Sequence, residues 1–315
     1  MGYGPSDDRL SEQLLNEALD TGYTLLDTAA LYGQGHNEKL IGNTLKPRRQ
    51  EYVLASKGGL QRSADGKTVI NGSPDALKAN CEDSLKRLQT DVIDLYYLHR
   101  LDPGIPIEES VGALADLIHA GKVRAIGLSE VSSFTLRRAN AVHPVTAVQS
   151  EYSLWTRTPE ANMLKTCEQL GVTFVAFAPL GRGFLAGTAE DITRLQEYDH
   201  RCHNARPRFE PEAFSQNTRL LITFEAIAAR VGCSMAQLAL AWILAQQDST
   251  GDRTIIPIPG TKHKNYALEN AGASKIALDC ETLVELNTLI NEHSVSGRRY
   301  TDSLMATIDS EKDRI

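Results

Sequence analysis

The chain has 315 residues, is 42% hydrophobic and carries a formal net charge of -7. That length allows two domains or one large α/β barrel, and the mild acidity gives no basic footprint for nucleic acid. Five cysteines, at 81, 167, 202, 233 and 280, make no C-x-x-C pair. A zinc ribbon or thioredoxin-type site is therefore unsupported, and scattered thiols fit a reducing compartment.

In chain order, MGYGPSDD is loop-like and has no apolar h-region, so no signal peptide is read. SEQLLNEALDTG (11–22) is a helical pattern. The apolar run YTLLD (23–27) then ends on Asp27, with Tyr32 in a glycine-bearing loop and a helix-like stretch from Asn37. EYVLAS (51–56) runs into Lys57. SPDALKANCEDSLKRL (73–88) opens with Ser73 as N-cap and Pro74 at the first helical position. DVIDLYYL (91–98) runs into His99. In PIEESVGALADLIHAGK, Ile107, Val111, Leu114 and Ile118 share one helix face and Gly121 supplies a stop. VRAIGLS (123–129) and VTAVQS (145–150) are further strand patterns. TPEANMLKTCEQLG repeats the helix start with Thr158 and Pro159 and closes on Gly171. VTFVAFA (172–178) and RTIIPIP (253–259) complete seven strands. DCETLVELNTLI starts on Asp279 and buries Leu283, Leu286 and Leu289 or Ile290. Apolar stretches such as LALAWILA from Leu238 are too short to span a bilayer. The expected setting is cytoplasmic, with no membrane partner and no nucleic-acid partner.

Alternating strands and helices imply parallel strands with right-handed crossovers. The strands read as continuous apolar runs, as expected when both faces are covered. The expected fold is α/β, a (β/α)8 TIM barrel forming a single domain over 1–315. Such a barrel needs eight strands, and the helical pattern at 11–22 has no visible strand before it, so the first strand is expected to be missing. A rival doubly wound reading rests on GRGFLA (181–186), which formally fits G-x-G-x-x-G/A. It follows most of the βα units, and no acid-ended strand comes after it.

In a parallel barrel the chemistry sits where strands end. Asp27, Tyr32, Lys57 and His99 stand at or just past three successive strand ends. Alone, each has a bland reading: a cap, an outward phenol, a solvated lysine, a core histidine. Together they form an acid–base set. An ammonium about 4 Å from a phenol, at an effective dielectric near 20, favours the ionised phenol by roughly 4 kcal/mol. An aspartate keeps the amine charged, and an imidazole can donate a hydrogen bond to a substrate oxygen. No metal and no nucleophile is called for. His200 and His203, flanking Cys202, lack the carboxylate pairing and strand context of a metal site. The group arriving at carbon is expected to be a hydride from a cofactor.

These four residues resemble the catalytic tetrad of the aldo-keto reductases, NADPH-dependent carbonyl reductases on a (β/α)8 barrel. LDTAALYG, SLKRL, DVIDLYYLHR, IEESVGAL, GKVRAIGLSE, VQSEYSLW, APLGRGFLAG, RPRF and PIPGTK all resemble that family. The closing GRRYTDSLMA is similar to its bacterial, fungal and plant branch, which includes pyridoxal-reductase-like and general aldehyde reductase-like members.

The resemblance implies Tyr32 as general acid, Lys57 and Asp27 tuning it, and His99 orienting the carbonyl. It implies NADP held by Ser129 and Gln149 at the carboxamide, by Phe177 stacking on the nicotinamide, and by Leu180, Gly181 and Arg182 over the pyrophosphate. In GTKHKNYALEN, Gly260 opens the adenosine phosphate site. Thr261, Lys262 and Lys264 would meet a 2′-phosphate, a charge-assisted contact favouring NADP over NAD. Glu269 and Asn270 would hold the adenine. Glu130 stands where many relatives have asparagine. Trp155 and Arg157 are placed on a substrate loop, with a packing role for Trp155 as the alternative. The implied partner is a small-molecule carbonyl substrate. Two other readings stay open: a cofactor-binding regulatory subunit like the potassium-channel β subunits, and a catalytically impaired reductase lacking its first strand.

Overall fold

The computed structural model describes residues 6–63, 66–188, 192, 195, 199–246 and 255–314. Helix α1 (Asp8–Thr21) starts where the Asp7 carboxylate accepts from the Leu10 amide at 3.1 Å. It stops at Gly22, whose φ of 103° lies in the left-handed region that favours glycine. Next come β1 (Leu25–Asp27), α2 (His36–Leu45), β2 (Val53–Gly58) and a hairpin of β3 (Leu60–Arg62) and β4 (Thr68–Ile70). The middle of the chain forms α3 (Pro74–Leu88), β5 (Ile93–Leu98), α4 (Ile107–His119), β6 (Val123–Ser129), α5 (Ser133–Val142), β7 (Ala147–Glu151), α6 (Met163–Leu170) and β8 (Thr173–Phe177). The last part forms α7 (Pro211–Val231), α8 (Met235–Leu244), β9 (Ile255–Pro257), α9 (Lys264–Gly272), α10 (Cys280–Leu289) and α11 (Asp302–Met305).

Strands β1, β2, β5, β6, β7, β8 and β9 hydrogen-bond in that order, each to the next and all parallel. The order never reverses, so there is no topological switch point and the doubly wound reading is corrected. GRGFLA instead forms a 3₁₀ turn after β8.

Side chains alternate across the sheet. On β5, Leu95 and Tyr97 face one side, and Tyr96 and Leu98 face the other. The first side is one inner cluster fed by all seven strands: Leu25, Ala55, Leu95, Tyr97, Ala125, Ala147, Val175 and Ile256. Only a curled sheet brings both of its edges into one cluster. Gly127 makes room for the largest inner residue, since a Cβ there would lie 2.4 Å from the Tyr97 ring. The outer face packs on helices through Leu77, Cys81, Val111 and Leu114, all essentially buried. Burying each Leu or Val side chain there contributes about 1.5–3 kcal/mol.

Seven of the eight strands of a (β/α)8 barrel are thus in place among the described residues. The sheet's edges are β1 and β9, and helices carry the ring between them. Helix α1 packs on α9, with the Tyr23 hydroxyl donating to Ala267 O at 2.8 Å and Lys264 paired to Glu17. The expected loop at 1–8 is described only from Ser6, and 253–254 of the last strand pattern lie outside the described residues.

Two helix starts differ from expectation. The Ser73 hydroxyl donates to Asn71 Oδ1 at 2.7 Å and makes no cap bond. Thr158 and Pro159 open a separate 3₁₀ turn, Thr158–Glu160, and α6 begins later at Met163. The break falls at Asn162, whose side-chain amide donates to Asp313 O at 3.1 Å.

Candidate active site

Asp27 closes β1, Lys57 lies one residue from the end of β2, and His99 follows β5 directly. Tyr32 sits on the turn leading into α2, where Gly33, Gln34 and Gly35 all have positive φ. The curl of the sheet brings the four together. The Lys57 ammonium donates to Asp27 Oδ1 and, at 2.9 Å, to Thr28 O. It also lies 5.2 Å from the centre of the Tyr32 ring. Tyr32 and His99 meet edge to face, with ring centres 5.9 Å apart. Below them Tyr97 forms the floor, 5.8 Å from the ammonium.

The lysine side chain is 0% exposed. Burial pushes its pKa down, but the Asp27 carboxylate and Tyr32 outweigh burial, and the net shift is upward. The amine therefore keeps its proton. His99 moves the other way. Burial, and then the charges of Arg100 and Lys57, hold it well below its ordinary value, so the imidazole is neutral. Its Nδ1 is buried and has no hydrogen-bond partner among the described residues.

The residues expected at the nicotinamide lie beside this cluster. Ser129 and Gln149 are paired in register on β6 and β7. Gln149 donates to Asp27 Oδ2 at 2.8 Å, and Ser129 accepts from Arg100 at 3.1 Å. Arg100 also donates to His99 O at 2.7 Å, tying the ends of β5 and β6 together. Phe177 ends β8, half-buried and in register with Glu151. Leu180, Gly181 and Arg182 form the turn after β8. A Cβ on Gly181 would lie 2.8 Å from the Trp155 ring. Gly260, Thr261 and Lys262 lie between β9 and α9, Lys264 starts α9, and Glu269 and Asn270 lie near its end. Asn270 is buried and Lys264 is exposed.

Sequence reasoning missed a buried ionic network beside these positions. Glu130 takes two bonds from Arg299, at 2.6 and 3.1 Å, and one from the Ser310 hydroxyl at 2.7 Å. Glu151, the last residue of β7, is gripped by both terminal nitrogens of Arg182, at 2.9 and 2.7 Å. Arg182, placed over the pyrophosphate by resemblance, thus has its guanidinium turned onto Glu151 and the Tyr300 hydroxyl, the latter at 2.9 Å. Burial would raise the Glu151 carboxyl, but Arg182, Arg299 and Arg208 hold it well below the ordinary carboxylate range. Acids at or just past the ends of β6 and β7 were the available signal; their arginine partners lie far away in sequence.

Of the two residues assigned to a substrate loop, Trp155 takes the packing role. It is 2% exposed and stacks on Phe184 at 4.0 Å. Arg157 pairs with Glu160 and lies 4.8 Å over the Trp242 ring. His200 sits edge-on to Tyr300 at 6.2 Å.

A phenol, a charged amine, a carboxylate and a neutral imidazole at the mouth of a parallel barrel define a barrel oxidoreductase. The aldo/keto reductase family model matches residues 1–291. An NADP(+) aldo-keto reductase of Schizosaccharomyces pombe is 42% identical over 304 residues, covering 95% of this chain and 87% of that protein. A glycerol dehydrogenase from Gluconobacter oxydans superposes with a TM-score of 0.81 at 28% identity, over 93% of this chain and 89% of that one. An aldo/keto reductase from Klebsiella pneumoniae, solved with NADP and acetate, gives a TM-score of 0.68 at 26% identity, over 96% and 92%. The chain belongs to the aldo/keto reductase family.

Proposed function

We propose that the protein reduces an aldehyde or ketone to the alcohol, using NADPH, with Tyr32 as the proton donor. The carrying observation is the fully buried Lys57 ammonium, bonded to Asp27 and 5.2 Å from the Tyr32 ring centre, with His99 edge-on to the same phenol. Tyr32 passes its hydroxyl proton to the carbonyl oxygen. Lys57 stabilises the phenolate left behind, and Asp27 fixes Lys57 in place. The neutral His99 ring donates a hydrogen bond to the same oxygen and so sets which carbon is presented. A nicotinamide held by Ser129, Gln149 and Phe177 would supply the hydride to that carbon.

The donor set fits this cofactor. Ser129, Gln149 and Phe177 occupy neighbouring strands at the mouth, suited to an amide and an aromatic ring. Leu180, Gly181 and Arg182 form the next turn in the same sector. Gly260, Thr261, Lys262 and Lys264 gather two cations at the start of α9, suited to a 2′-phosphate. Glu269 and Asn270, further along α9, would meet the adenine. NADP in the Klebsiella pneumoniae relative, and in the name of the Schizosaccharomyces pombe one, supports the choice.

The test is NADPH oxidation with a panel of aromatic and aliphatic aldehydes, with NADPH affinity measured in parallel. Turnover is expected. Binding without turnover across the panel would favour a cofactor-sensing subunit, and absence of binding overturns the reading.

A further inference from the structure

Five described non-glycine residues have a left-handed backbone: Gln34, Gln89, Glu130, Ala178 and Arg182. Three of these five directly follow positions assigned to the cofactor, namely Ser129, Phe177 and Gly181. Left-handed backbone is unfavourable for a residue with a Cβ and persists only where its surroundings over-determine it. For Glu130 and Arg182 the surroundings are one ionic network.

Arg299 bridges the two ends of that network. It holds Glu130 with two nitrogens and reaches Glu151 at 3.5 Å. Glu151 in turn holds Arg182, and the Glu151 amide donates to Glu130 Oε1 at 2.8 Å. The guanidinium groups of Arg182 and Arg299 lie 5.0 and 5.1 Å from the centre of the Tyr300 ring. Arg299, Tyr300 and Ser310 all lie beyond the 1–291 matched by the family model. The backbone clamps as well: Ser310 N donates to Glu130 O at 3.1 Å, and Ser132 N donates to the Asp309 carboxylate at 2.8 Å.

We propose that Arg299 is a positioning residue for the cofactor. Through Glu130 and Glu151 it locks the turns at 129–130 and 180–183 in the arrangement that accepts a dinucleotide. The proposal rests on the reading of NADPH as cofactor. In this role Arg299 acts through the backbone of Ser129 and Gly181, by way of its bonds to Glu130 and Glu151.

The test uses the full chain and two variants. Arg299→Lys keeps a cation but loses the planar fork. Glu130→Gln keeps the side-chain shape and removes its charge. Both are expected to raise the NADPH Kd by about tenfold, with kcat at saturating NADPH within about twofold of wild type. Amide exchange over 180–187 is expected to accelerate in both. Asp94→Asn is the control. It breaks a pair with Arg49 near the start of β5, away from the strand ends that carry the site, so it lowers stability without moving Kd. If wild type binds NADPH and both variants match it, the proposal falls alone. If wild type does not bind, the functional reading beneath it falls too. Should Arg299→Lys fail to fold, Glu130→Gln decides.

Discussion

Gln149 of β7 donates from Nε2 to Asp27 Oδ2 of β1 at 2.8 Å, across the mouth of the barrel. The other Asp27 oxygen takes the Lys57 ammonium. One carboxylate therefore joins the acid–base cluster to the strand expected to hold the nicotinamide. It does so across a sheet whose two edge strands, among the described residues, are not paired to each other. Gln149→Ala leaves that oxygen, on a side chain only 8% exposed, without its partner. The expected loss is about 1–3 kcal/mol, read as a lower urea midpoint at unchanged slope.

Tyr32→Phe removes the transferable proton and little else. Carbonyl reduction is expected to fall by about 10²–10⁴-fold, while NADPH affinity stays as in wild type. Lys57→Met leaves Asp27 buried and uncompensated. It is expected to lose activity and also about 3–5 kcal/mol of stability. Steady-state kinetics and denaturant titration on both variants check the pair. A Tyr32→Phe enzyme with wild-type turnover would falsify the assignment of the acid.

Selectivity for NADPH over NADH is expected to depend on two lysines at the start of α9. Lys264 is already paired to Glu17 of α1, so reaching a 2′-phosphate means surrendering that partner. Lys262→Ala and Lys264→Ala are each expected to weaken NADPH, by up to about 10–100-fold, the worth of a charge-assisted bond. NADH affinity is expected to move little in either variant. Equal losses for both cofactors would remove the 2′-phosphate contact.

Stability is expected to fall on mild acidification, before carboxylates titrate. Burial, and then the charge of Arg182, lowers the His200 pKa to about 4 from 6.5. His99 is held well below 6.5 too. Both are neutral when folded and free to protonate when unfolded. Their effect is nil above 6.5 and grows destabilising as pH drops below it, by up to about 1.4 kcal/mol per pH unit each. For His200 the loss levels off near pH 4. The depressed carboxyls of Glu130 and Glu151 act later, below about 4.5. Unfolding free energies between pH 7 and 5 check this, and His200→Asn should flatten the slope. An unchanged slope in that variant rejects the His200 contribution.

Much of this was legible in the sequence, for definite reasons. VRAIGLS coincides with β6 and DVIDLYYL contains β5, because buried parallel strands make continuous apolar runs. Strand ends then pointed to Asp27, Lys57 and His99. The β3–β4 hairpin was missed because it has three-residue strands and few buried side chains. Trp155 was ambiguous because its burial depends on Phe184 and Phe209, partners distant in sequence. The Glu130–Arg299 pair spans 169 residues, and no local pattern encodes a contact of that range.

Tyr32 is 39% exposed, whereas Lys57 is 1% exposed. On the proposed mechanism, the phenolate must regain a proton after each turnover. The ammonium cannot relay one from bulk water, because it is sealed inside the bore and has no aqueous side from which to reload. Reprotonation is therefore expected to run directly onto the open edge of the phenol, with the departing alcohol clearing that edge before the next cycle begins.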